Sequence, residues 1–204
     1  MRRVPATRAL EFEWQRAGFR LVAGVDEVGR GCLAGPVTAA AVILSVDTHI
    51  PGLADSKTLP PSARERLCAR ILASATAWSV ASCGPNEIDA QNIHHASLAA
   101  MRRAVLALTP APDALLVDGR FPVPALELTQ RAVVGGDRRS ASIAAASIVA
   151  KVTRDREMVA LHACDPRYGF DQHKGYGTPA HLRAIAAHGL SAAHRRTFRV
   201  GVPA

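Results

Sequence analysis

Four acidic residues stand where the backbone turns tightly: Asp26 and Glu27 ahead of Gly29-Arg30-Gly31, Asp118 ahead of Gly119, and Asp137 after Gly135-Gly136. Each follows a run with strand character, so folding can collect them at strand ends. Carboxylates gathered there, with glycine leaving room for a ligand, suit hard divalent cations, because Mg²⁺ takes oxygen ligands in octahedral geometry and keeps part of its water. Two such ions about 3.5–4 Å apart can activate a water and stabilise a leaving oxygen in an in-line phosphoryl displacement. Adjacent strand residues point to opposite faces, so Asp26 and Glu27 serve one ion only if the strand ends or bulges there. Singly, each acid reads as a turn former or surface charge; together, in a basic protein, they read as a metal site. Asp155 competes with Asp137 for the fourth place, although its spacing of four from Lys151 favours an ion pair along a helix face.

The elements that must position these acids follow from the apolar pattern. Residues 1–18 read as a peripheral arm or short helix. Phe19 to Val28 reads as a strand ending at the carboxylate pair, and Pro36 to Leu44 as a second, well-buried strand that can form a hairpin with it. Residues 45–61 are loop. Ser62-Ala-Arg-Glu65 has capping-box spacing and opens a helix to about Ser74. Ala77 to Cys83 is a strand, Pro85 opens a short helix, and a longer helix crosses Ile93 to Leu108. Ala114 to Val117 and Arg131 to Val134 are brief strands, and Ser140 to Cys164 is a long helix of small residues. Thr178-Pro179 starts a last helix that Gly189 closes after His188. The composition shifts after Asp165 towards Gly, Pro, His and Arg. The expected organisation is therefore an N-terminal arm (1–18), an α/β layer domain with a mixed sheet (19–165) and a small C-terminal helical subregion (166–204).

A chain of 204 residues with 49% hydrophobic content supports one packed core. No apolar run approaches the roughly 18 residues a membrane span requires, and the start shows no secretion signal. The four cysteines lie far apart, which fits reduced thiols in a cytoplasm better than a zinc knuckle or disulfide framework. The net charge of +8, with arginine dense near the end (Arg183, Arg195, Arg196, Arg199), favours a polyanionic partner. None of the eight histidines sits in a zinc-protease pattern, so they read as structural or peripheral.

Gly24-Val-Asp-Glu-Val-Gly-Arg-Gly31, Asp55-Ser-Lys57, Val117-Asp118-Gly119, Gly136-Asp137, the run Ser142 to Asp155 and His173-Lys-Gly-Tyr-Gly-Thr178 together resemble, in order and spacing, bacterial ribonuclease HII. The resemblance covers about Phe19 to Phe198. It implies a ribonuclease H-like fold, with a central mixed β-sheet flanked by helices and a small C-terminal helical portion. It also implies that Asp26, Glu27, Asp118 and Asp137 hold two Mg²⁺ or Mn²⁺ ions, with Asp155 a supporting residue. Gly29, Arg30 and Gly31 are similar to the family's loop for sensing a ribose 2′-hydroxyl, the group that separates RNA from DNA. Tyr176 matches a tyrosine that stacks on the deoxyribose after the ribonucleotide, and Lys57, Arg30 and Lys174 are placed to neutralise phosphates. Asn92 and His95 lie in a segment similar to one that shapes the substrate groove. One departure stands out, because Gly135 occupies the position where the family usually has a lysine before Gly-Asp, and a cation near the substrate is expected to be missing.

The implied activity is an endonuclease, a monomer, acting on RNA/DNA hybrids or on DNA duplexes containing ribonucleotides. It cuts 5′ to the ribonucleotide and leaves 3′-hydroxyl and 5′-phosphate ends. A related metal-dependent nuclease of the same fold shares the acids but gives no reason for Gly29-Arg-Gly31 and Tyr176. A non-catalytic basic nucleic-acid-binding domain predicts binding without cleavage.

Overall fold

The computed structural model describes residues 6–201, so the first five residues of the expected arm lie outside it. Within the arm, α1 (Ala9–Arg16) docks by burying Trp14 against Val22, Leu116 and Ile143. Its Glu11 carboxylate accepts hydrogen bonds from the Ser140 hydroxyl and from both the amide and the hydroxyl of Ser142. An anion there satisfies donors that the first turn of α4 (Ala141–Cys164) would leave unpaired.

β1 (Val22–Val28) pairs antiparallel with β2 (Val37–Ile43), and β3 (Ala77–Cys83) continues antiparallel on the far side of β2. β4 (Ala114–Asp118) and β5 (Thr129–Val133) run parallel to β1, giving the order β3-β2-β1-β4-β5. The expected hairpin is thus present at the centre of the sheet, where hydrophobic strands are covered on both faces. Ala23 and Val25 pack with Ala39 and Ala41 against α3 (Pro85–Leu106) through Ala96, Ala100 and Ala104. The opposite face, through Ala40 and Val42, packs on α4 and on α2 (Pro61–Ser74) through Ala144, Ile148, Leu67 and Ile71.

One local expectation changes. Ser62 does not cap α2: the helix begins at Pro61 with Pro60 as its cap residue and no side-chain cap, because proline's fixed φ already suits a first helical turn. The short and long helices expected after Pro85 are both present within α3, separated at the non-helical Asn92 (φ 66°, ψ 165°). Asn92 Oδ1 accepts from the amides of His94 and His95, so Asn92 caps the second half of the helix. The four-residue α5 (Phe170–His173) is too short for periodicity to reveal. With α6 (Pro179–His188), capped by the Thr178 hydroxyl, it builds a small second core of Ala34, Met158, Tyr168, Phe170 and Ile185. No helix among the described residues is long and apolar enough to cross a membrane.

α4 reaches β1 closely because the contact residues are small. A Cβ added at Gly24 would stand 2.1 Å from the Ser142 carbonyl carbon and 2.2 Å from the Ile143 nitrogen. Backbone atoms cannot swing aside as a side chain can, so Gly24→Ala should cost about 3 kcal/mol or more in urea unfolding, and a cost below about 1 kcal/mol would show that α4 is not held at this separation.

Candidate active site

The ladder between the parallel strands β1 and β4 stops at Val25 and Val117, and the next residue on each strand is an acid. Ligands of open α/β sheets collect at such carboxyl ends. By strand alternation Asp26 and Asp118 share the face covered by α4, whereas Glu27 points to the other. Of the two arrangements expected at this pair, a strand end or a bulge, the bulge is absent, since the β1–β2 register runs unbroken through Glu27–Ala39 to Val28–Thr38, and β1 ends at Val28, one residue after Glu27. The neighbouring β4 ends at Asp118. Asp26 Oδ1 accepts from the Glu27 amide at 2.7 Å, and the Ser147 hydroxyl faces the same carboxylate. Asp118 Oδ1 accepts from the Gly136 amide at 2.7 Å, which draws the turn carrying Asp137 over β4.

Burial, then the charges of Glu27 and Asp118, push the Asp26 carboxyl well above its ordinary range. Burial also raises Glu27, against the pull of Arg30 at 3.3 Å, and Asp137 rises through burial and its neighbours Asp55 and Asp118. A further side chain opposes this crowding from the solvent side. Lys57, in the turn that Asp55 caps, loses by burial but is held above its ordinary value by Asp26, Asp55 and Asp137. Ser56 fixes that turn to α4 through Ser147, at 2.9 Å between hydroxyls.

Among the described residues, no three of the His, Cys, Asp and Glu side chains are already closed into a cage for an ion. The donor set still suits a hard divalent cation. It is all oxygen, it carries unrelieved negative charge, and Mg²⁺ is commonly held by few carboxylates with substrate phosphate and water completing the shell.

The loop after β1 rests on two arginines that contribute nothing to the basic surface. Arg195 is 1% exposed and donates to the carbonyls of Gly29, Arg30, Gly35 and Pro36; burial lowers its pKa to about 10. Arg154 is fully buried and donates to Ala34, Pro36 and Lys174. Neither has a carboxylate within salt-bridge distance among the described residues. Gly29 has φ +97°, and a Cβ there would lie 2.2 Å from Arg154 Nε. A Cβ on Gly31, by contrast, would meet nothing within 4 Å, so that glycine leaves open space on the loop's outer side.

Tyr176, 40% exposed, is presented by a chain of neutral histidines. His181 Nδ1–H donates to the Tyr176 carbonyl at 2.9 Å, so its Nε2 accepts from His194 Nε2–H at 3.0 Å. His194 Nδ1 then accepts from the amide and hydroxyl of Ser191. His173 Nδ1 accepts from the Gly175 amide while its Nε2–H donates to Tyr168. These tautomers follow from the partners. Lys174 is less available than expected, because its ammonium donates to the Asp171 carbonyl. Asp155 pairs with Lys151 at 2.6 Å, the helix-face pair its spacing anticipated, and both line a cleft with Tyr176 and Lys174. The two arginines and Glu11 carry no local signature, since most of their partners lie far away in sequence, and the histidine chain, though its members lie close together in sequence, follows no spacing pattern that marks it.

A family model described as Ribonuclease HII matches residues 23–200. The chain is 54% identical over 191 residues to the ribonuclease HII of Agrobacterium fabrum, covering 94% of this chain and 88% of that one. To the ribonuclease HII of Geobacter sulfurreducens it is 53% identical over 195 residues, covering 96% and 89%. The crystal structure of ribonuclease H2 from Pyrococcus horikoshii superposes with a TM-score of 0.75 at 27% identity, covering 88% of this chain and 94% of that one.

The histidine chain ties stability to pH. Burial and His181 lower the His194 pKa from 6.5 to about 4, so between these values the unfolded chain binds the extra proton and the folded one does not. Stability should therefore rise with pH across that window, by up to about 3 kcal/mol. Urea unfolding at pH 4.5 and 7 measures this, and the slope should shrink in His194→Gln; equal slopes would show that His194 is not held neutral.

Proposed function

The chain belongs to the ribonuclease HII family and is a ribonuclease H hydrolase, and from that premise we propose that it cuts the phosphodiester 5′ to a ribonucleotide in a DNA duplex or an RNA/DNA hybrid. Water is the nucleophile, and the products carry 3′-hydroxyl and 5′-phosphate ends. The observation that carries this reading is the placement of Asp26 and Asp118 at adjacent parallel strand ends, with the loop Gly29–Gly31 three residues further along β1's own chain. Cleavage chemistry and ribose recognition are thereby built on one rigid segment.

In this reading Asp26, Glu27, Asp118 and Asp137 hold two Mg²⁺ or Mn²⁺ ions. When bound, such ions supply an activated water and charge stabilisation for the leaving 3′ oxygen. The residues of the chain do the rest. Ser147 and the Glu27 amide fix the Asp26 carboxylate, and the Gly136 amide fixes Asp118, so that neither rotates away under repulsion. Gly29, Arg30 and Gly31 meet the ribose with backbone groups, the open side at Gly31 leaving room for the sugar and its 2′-hydroxyl. Tyr176 stacks on the following deoxyribose. Lys57 and Arg30 balance the phosphate's charge, while Lys174 and the Lys151–Asp155 pair line the cleft beside the tyrosine. Residues 19–165 form the catalytic domain and residues 166–204 complete its groove. The protein acts as a monomer in the cytoplasm, where its four cysteines, all free, stay reduced.

The test is a labelled DNA duplex with one embedded ribonucleotide, incubated with Mg²⁺ or Mn²⁺ or with chelator, beside an all-DNA duplex. A single nick 5′ to the ribonucleotide is expected with metal only, and Asp26→Asn should slow it more than about a hundredfold. Equal cutting of all-DNA, or binding without cutting, would overturn the proposal. Tyr176→Ala should reduce the preference for the RNA-to-DNA junction by about tenfold, the scale of one stacking contact; an unchanged preference would remove Tyr176 from the recognition surface.

A further inference from the structure

We propose that Arg138 grips a backbone phosphate of the nucleic-acid substrate and supplies the cation that Gly135 cannot. This inference rests on the reading of Asp137 as part of the active site. Gly135 is left-handed (φ +63°, ψ 40°), a conformation that costs a side-chain-bearing residue on the order of 1 kcal/mol or more. The direction in which its side chain would leave the backbone is already covered. A Cβ there would stand 3.0 Å from Arg138 Nη2, 3.6 Å from Nε and 3.7 Å from Cζ. The guanidinium of residue 138 thus lies over the backbone where a side chain at residue 135 would begin.

The turn that brings it there is well held. Arg138 donates its amide to the Gly135 carbonyl at 3.2 Å, and the intervening Gly136 is pressed against Ile143 and Asp118 so closely that a Cβ would come within 2.5 Å of Ile143 Cδ1. The side chain itself is left loose. Its Nε lies 3.9 Å from Asp137 Oδ1 and 55% of the side chain is exposed; among the described residues it makes no hydrogen bond. Four other exposed arginines are committed to carboxylates: Arg131 to Glu13, Arg103 to Glu87, Arg156 to Glu65 and Arg167 to Asp165, all at 3.0 Å or less; of the exposed arginines left without such a partner, Arg138 is the one placed against Asp137. Arg138 therefore keeps a planar fork of N–H donors unspent beside an acid of the candidate site, and phosphate accepts such a fork in bidentate fashion. Lys57 faces Asp137 as well, so the carboxylate has a second cation when Arg138 turns to the substrate.

The experiment measures nicking of a DNA duplex with one embedded ribonucleotide across a salt series, for wild type, Arg138→Ala, Arg138→Lys, Gly135→Lys and the double variant Gly135→Lys/Arg138→Ala. Arg138→Ala should raise KM about five- to tenfold, with kcat falling by less, and should reduce the slope of log(1/KM) against log salt by about 0.9, the value of one phosphate contact. Arg138→Lys should keep most of that slope. Gly135→Lys should not tighten binding while Arg138 fills the space, yet should recover affinity once Arg138 is alanine. Unfolding curves check that each variant is folded. An unchanged salt slope in a folded Arg138→Ala, or a loss confined to kcat, overturns the proposal. Failure of the wild type to nick at the ribonucleotide overturns the active-site reading itself.

Discussion

Mutual repulsion among acids in a place largely closed to water is the constraint to which the rest of this molecule answers. Two like charges about 4 Å apart repel by about 4 kcal/mol at the effective dielectric near a protein surface, a large share of the 5–15 kcal/mol that holds a typical domain together. Left to itself, such a cluster splays or takes up protons. Here it is set at the stiffest part of the fold, on a central strand with neighbours on both sides and a helix pressed against its backbone at Gly24. Hydrogen bonds then fix two of the carboxylates, Asp26 by the Glu27 amide and the Ser147 hydroxyl and Asp118 by the Gly136 amide. The turn carrying Lys57 is clamped to α4 by a serine pair, which holds an exposed lysine facing the acid cluster.

The same architecture buries opposite charge a short way off, by a different solution. Among the described residues Arg154 and Arg195 have no acid within salt-bridge distance, and their guanidinium groups donate to main-chain carbonyls. A buried charge is tolerable when every donor is matched, and carbonyls of a loop can match a guanidinium only if the loop takes one shape. Shape is thus the product: the turn after β1 and the segment around Lys174 are cast around two rigid forks. Through them the small C-terminal core is tied to the central sheet by polar contacts as well as by the apolar packing of Ala34 and Met158.

Much of the architecture was legible from local pattern. All five strands were anticipated near their final bounds, the long helix expected from Ser140 runs from Ala141 with Ser140 as its cap, and the Thr178-Pro179 start of α6 held. These features rest on periodicity and turn chemistry, which act over a few residues. What stayed hidden depends on distance. Arg195 was counted among the residues of a basic surface and is fully inside, and the histidines, read only as structural or peripheral, form a directed chain to the Tyr176 carbonyl. At Asp26–Glu27 the local pattern left a strand end or a bulge open; β1 has no bulge and ends at Val28, and the pairing with β4 stops at Val25, which only the sheet as a whole reveals. Pairings that join residues more than a hundred positions apart leave no trace in a window of fifteen.

Arg195 reaches the carbonyls of Arg30 and Gly29 across 165 and 166 residues of chain. Translation proceeds from the N-terminus, so the acids and every strand of the sheet emerge before the guanidinium that moulds the adjoining loop. Contacts of such sequence separation are the slowest to form, because the entropy of closing the intervening chain is lost before the contact rewards it. A nascent chain that has completed α4 already holds its carboxylates but lacks Arg195, His181 and His194. The C-terminal segment that shapes the loop after β1 is therefore the last part of the fold to be supplied to the growing chain.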